Sequence, residues 1–129
     1  MIYIILNLAP ILLATLAGML VGAVYLRLAR LSLRGPGLLV TTAIAQGWFA
    51  AILAGALILA PAKAGDWTMA LGSALVIWIG FVAPVNIVTL RARRHGWSTT
   101  VMDSLYWLVV MVVQAVVLKS WGLVPPPPL

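Results

Sequence analysis

The chain has 129 residues, 64% hydrophobic and only 8% charged, with a net charge of +6 and a mean hydropathy of +1.17. A water-soluble domain carries about 25% charged residues, so lipid must solvate most of this surface. At about 20 residues per crossing, four spans use nearly the whole chain and leave no room for a separate soluble domain.

The first uncharged run, Ile2 to Leu26, lacks the basic n-region and the A-x-A site of a signal peptide and is read as a span. Ala14, Gly18 and Gly22 recur along it at intervals of four. Gly35-Pro36 is expected to end this helix and open the next. The second span covers Gly37 to Ala60, with Ala43, Gly47, Ala51 and Gly55 at the same interval. Lipid gives no hydrophobic drive for helix pairing, so both stripes are expected to be helix contact faces, against each other or, for the first, in a homodimer. Pro61 follows the second span. The third, Trp67 to Leu90, contains Pro84, as the first contains Pro10. Each proline removes one backbone hydrogen bond, which frees the carbonyls of Gly80 and Leu6 and predicts static kinks. Gly96 is expected to end the third helix and Ser98 to cap the fourth, which runs to about residue 121. The closing prolines, Pro125 to Pro128, read as a stiff, solvated end.

These spans, about 2–26, 37–60, 67–90 and 98–121, predict one all-α domain: an integral membrane four-helix bundle with up-down-up-down topology. The first loop holds Arg27, Arg30 and Arg34, and the third holds Arg91, Arg93 and Arg94 with His95. The other side offers Lys63 beside Asp66, and Lys119. The positive-inside rule puts loops one and three in the cytoplasm and both termini outside. Charge gathered at helix ends sets topology and meets anionic headgroups, so membrane lipids are the expected partners and nucleic acid is not. Trp67, Trp97 and Trp121 mark the interfaces, whereas Trp48, Trp78 and Trp107 lie deeper.

Asn7, Gln46, Asn86, Asp103 and Gln114 are the strongly polar groups within the spans. At a rise of about 1.5 Å per residue, Asn86 matches Asp103 in depth and Asn7 matches Gln114, which suggests two interhelical pairs. Asp103 is the one acid inside a span, a functional hypothesis by default. A structural ion pair with Arg91, Arg94 or Arg27 near the helix-four N-terminus competes with that reading.

No second embedded acid accompanies Asp103, and the single histidine sits in a basic loop. No cysteine is present to hold a metal or run redox chemistry. Motifs for nucleotide binding, zinc hydrolysis or serine catalysis are missing, and Ser73 and Ser104 lack a base. Neither a cofactor nor an enzyme activity is expected.

Asn7-Leu8-Ala9 opening helix one, Gly22-Ala23-Val24-Tyr25 at its end, Gly80-Phe81-Val82-Ala83 followed by Asn86, and Asp103-Ser104-Leu105-Tyr106-Trp107 come in order along the chain. With these segments the chain resembles a family of small four-helix bacterial membrane proteins, domain-of-unknown-function family 1761. The resemblance implies a multi-pass protein of the bacterial cytoplasmic (inner) membrane and supplies no mechanism. The leading functional expectation is a non-catalytic accessory or structural subunit, or a self-associating bundle, acting through helix contacts. The alternatives are a small oligomeric transporter with Asp103 as its proton-coupling group, and an anionic-lipid binder in which Arg27, Arg30 and Arg34 share one helical face.

Overall fold

The computed structural model describes residues 2–31, 35–60 and 65–128. Among them every regular element is helical. The first span comprises α1 (Ile2–Leu6) and α2 (Leu8–Leu28), and the second is α3 (Gly35–Leu59). The third joins α4 (Asp66–Ile77) to α5 (Ala83–Ala92) through one π-helical turn, Trp78–Val82, and the fourth is α6 (Trp97–Trp121). Four helices are long and apolar enough to cross a bilayer, and the chain is a multi-pass membrane protein. Short loops make sequential spans antiparallel, so both termini share one end and the arginine-rich loops the other, called here the terminal end and the basic end.

The packing inverts that of a soluble protein. Leu12, Ile44, Trp48, Val76, Phe81, Val85 and Val88 point outward, where lipid is their solvent. The buried cluster is built largely on small residues: Ala14, Ala50, Ala51, Ala54, Ala74 and Ala115, with Ile11, Leu53, Met111 and Leu118 between them. Small side chains bring backbones close enough for dispersion and hydrogen bonds to hold the helices. α6 is central and packs on α2, α3, α4 and α5, most extensively on α2. The third span packs mainly on α6, makes a smaller contact with α3 and none with α2. Its apolar window is 11% buried, against 28–33% in the other spans.

Both prolines leave irregularities stronger than simple kinks. Pro10 cannot bond the Leu6 carbonyl, and the first helix breaks three residues earlier at Asn7 (φ −117°, ψ 27°). Pro84 cannot bond the Gly80 carbonyl, and the preceding turn widens so that the Ala83 N–H reaches back to Trp78 O. That is the i to i−5 pattern of a π-turn.

Several end signals act elsewhere than expected. Gly35 (φ +82°) belongs to the start of the second helix. The first helix instead closes through Arg30 at φ +56°, with Arg30 N–H on Arg27 O and Leu31 N–H on Leu26 O. Arg94 repeats the arrangement at φ +64°, with its N–H on Arg91 O and His95 N–H on Leu90 O. Both are Schellman motifs with arginine where glycine is usual. Gly96 has an extended backbone and N-caps α6, so Ser98 falls inside the first turn, and Thr100 Oγ1 bonds Gly96 O at 3.0 Å. Because α2 stops at Leu28, Arg27 and Arg30 do not share a helical face. Arg34, Pro61 and Lys63 lie outside the described residues.

Candidate functional site

The stripes in spans one and two are contact faces, and what they contact is mostly polar. A Cβ added to Gly18 would run into Gln46 Oε1 and stand 2.9 Å from Gln114 Nε2. At Gly22 it would meet Tyr106 Oη at 2.9 Å, and at Gly55 Tyr3 Oη at 2.9 Å. Gly47 is less crowded, with Thr15 Oγ1 at 3.6 Å. The glycines of span one thus make room for long side chains from α3 and α6, which occupy the first stripe within the chain.

Around that stripe runs a buried polar network. Gln46 and Gln114 are both 0% exposed. Gln114 Nε2 donates to Gln46 O at 3.1 Å, and Gln46 Nε2 donates to Tyr106 Oη at 3.2 Å. Tyr106 stacks on Tyr25, centroids 4.5 Å apart and planes 6° from parallel, and the Tyr25 hydroxyl donates to Asp103 Oδ1. The chain of contacts descends α6 from Gln114 to Asp103, toward the basic end. Deep in the third span Trp78 Nε1 is satisfied by Ser104 O at 2.7 Å.

At the basic end the network opens into a cavity of about 730 Å³. Leu16, Met19, Leu20 and Leu26 of α2, Leu38 and Leu39 of α3, and Leu90 of α5 form an apolar wall. Tyr25, Asn86, Asp103, Tyr106 and Trp107 supply the polar and aromatic side. This size and balance, mostly apolar with a few convergent polar groups, is that of a small-molecule site.

Neither polar pair expected from matched depth forms. Asn86 and Asp103 face the same cavity, yet Asp103 is taken by Tyr25, and Asn86 Nδ2 is buried with no hydrogen-bond partner. Asn7 holds the chain end instead of Gln114: its Nδ2 donates to Val124 O at 2.8 Å, while Val124 N–H donates to Asn7 Oδ1 at 2.7 Å. A third bond, Asn7 Nδ2 to Tyr3 O at 2.8 Å, secures the helix break. The segment before the prolines is therefore docked, with Leu123 packed on the core. Depth along a helix fixes neither direction around it nor reach: Asn7 turns to Val124, and Asn86 and Asp103 face one cavity without meeting.

The arginine contacts expected for Asp103 are also missing among the described residues. Arg91 donates to His95 O at 2.8 Å and lies over the Trp97 ring at 4.5 Å. Arg27, Arg30, Arg93 and Arg94 are exposed, as headgroup contacts require. Lys119 forms an ion pair with Asp66 at 3.2 Å. Tyr25 and Tyr106 are the site residues that the sequence reading missed. A signal was present in the spacings Gly22-x-x-Tyr25 and Asp103-x-x-Tyr106, since residues three apart share a helix face.

Comparisons with protein-family models, curated proteins and solved structures give no match.

Proposed function

We propose that this protein is a non-catalytic intramembrane binding protein that holds an amphipathic small molecule partitioned in the bilayer. The observation that carries the reading is the apolar cavity of about 730 Å³ at the basic end, with Asp103 and an unpartnered Asn86 amide on its wall. A buried donor without a partner costs about 1–3 kcal/mol, and a bound acceptor would recover it. The accessory role expected from the sequence is kept here in a defined form, binding by the bundle itself. With the arginine loops in the cytoplasm, the site lies in the inner leaflet of the bacterial membrane that the family resemblance implies.

The test uses nanodiscs of neutral lipid carrying the protein, titrated with dodecanol, dodecylamine and dodecanoate, with partition into empty nanodiscs subtracted. At least one compound is expected to bind saturably, one per chain, and Ala23→Trp, which fills the cavity from its wall, is expected to abolish that binding. Failure of all three to saturate, or binding indifferent to Ala23→Trp, rejects the reading.

A second reading, self-association, is supported by the third span. It is the least covered helix, and a Cβ at Gly72 or Gly80 would meet nothing within 4 Å. Gly80→Leu is the variant for this test, whereas Gly18 and Gly47 are occupied internally. A change in mass by light scattering on Gly80→Leu supports self-association through this span, and an unchanged monomer rejects it.

A further inference from the structure

We infer that the occupant of the cavity is a lipophilic amine, an apolar body bearing a protonated nitrogen that pairs with Asp103. This inference rests on the binding reading above and specifies its ligand. Of the two acidic residues in the chain, Asp66 opens the third span at the terminal end and pairs with Lys119, whereas no arginine or lysine among the described residues forms an ion pair with Asp103. Tyr25 donates to one carboxylate oxygen, Oδ1, and no described side chain donates to the other. A carboxylate placed in hydrocarbon without a counter-ion costs about 2.5–3.5 kcal/mol on insertion scales. A ligand ammonium would neutralise it and bond the free oxygen with a charge-assisted hydrogen bond.

The neighbouring groups fit the same chemistry. Tyr106 and Trp107, with ring centroids 4.9 Å apart, line the cavity beside Asp103, and aromatic rings are side chains that attract a desolvated cation. Asn86 Nδ2 offers a donor without a partner, which suits a hydroxyl or carbonyl on the same ligand. The leucine wall takes the apolar body. An anionic amphipath would meet Asp103 with like charge and no compensating cation among the described residues of the cavity wall.

The nanodisc titration separates this inference from the reading beneath it. In phosphatidylcholine nanodiscs, dodecylamine is expected to bind about tenfold or more tighter than dodecanol, and dodecanoate weakest, as a charge-assisted bond implies. Asp103→Asn keeps an acceptor for Tyr25 and is expected to erase the amine preference, and an unfolding midpoint in detergent close to that of wild type shows that the variant is folded. An ammonium of this kind belongs either to a free amine or to an amino-lipid headgroup. Competition by phosphatidylethanolamine added to the nanodisc identifies the lipid source, and its absence the free amine; both outcomes support recognition of the ammonium. Equal affinity for dodecylamine and dodecanol, or a preference that survives Asp103→Asn, overturns the inference and leaves the cavity reading standing. Failure of every dodecyl compound overturns both.

Discussion

Arg30 and Arg94 adopt left-handed backbone conformations at the two basic-end helix termini, a conformation that costs a residue with a Cβ roughly 1–2 kcal/mol. Arg30→Gly and Arg94→Gly are therefore expected to raise stability by roughly 0.5–1 kcal/mol each, after the added unfolded-chain entropy of glycine is subtracted. Thermal unfolding in detergent reads this, and a drop in midpoint for both would contradict the Schellman assignment. Asn7 is the second residue-scale case. Asn7→Leu removes a two-way amide contact with Val124, worth about 0.6 kcal/mol or more per bond in a membrane bundle. Faster hydrogen exchange at the Val124 amide is the expected result, and unchanged exchange would show that the chain end is held by other means. Both cases show where sequence reading stops. Arginine in a loop reads as charge, and nothing local announces its φ angle. Asn7 was visible as a buried polar group, but its partner is 117 residues away in a segment that composition marks as a free end.

The helices themselves were legible because length and hydropathy decide them. Expected bounds of 2–26, 37–60, 67–90 and 98–121 differ from the observed ones by at most two residues. Pro10 and Pro84 also marked where regularity fails. The form of each failure was not readable, since a freed carbonyl is answered by a break at Asn7 in one helix and a π-turn in the other. Which neighbour re-satisfies the backbone depends on packing. The glycine stripes were legible as faces of spans one and two that meet each other, since Gly47 faces Thr15 and Gly55 faces Tyr3, whereas the filling of the first by Gln46, Gln114 and Tyr106 was not; a Cβ at Gly80 of the third span would meet nothing within 4 Å. Two leucine substitutions separate these cases. Gly18→Leu must displace two wholly buried glutamines, and overpacking of this kind costs about 1–3 kcal/mol or more. Gly80→Leu enters open space and should leave the unfolding midpoint within about 0.5 kcal/mol of wild type. Equal losses at the two positions would contradict the placement of the third span at the edge of the bundle.

At the scale of the molecule, four antiparallel spans put every described arginine at one end and the Lys119–Asp66 pair at the other. Because the chain has no cysteine, orientation can be read with single labels. Gly96→Cys is expected to react with an impermeant maleimide only after the cells are opened, and Gly65→Cys in intact cells, as the positive-inside rule requires. The reverse pattern would invert the topology and move the cavity to the outer leaflet. The site was half legible. Asp103 and Asn86 were identified as matched in depth, yet the cavity they share is lined by α2, α3, α5 and α6 together at the basic end, which no single helix encodes. Occupation of that cavity is the central claim, and photolabelling reads it most directly. A dodecylamine carrying a diazirine, irradiated with the protein in nanodiscs and mapped by mass spectrometry, should label the cavity walls around Leu16 to Leu26 and Asp103 to Trp107. Excess dodecylamine should suppress that labelling. Labels spread over the lipid-facing residues Phe81, Val85 and Val88, unaffected by competitor, would contradict the account.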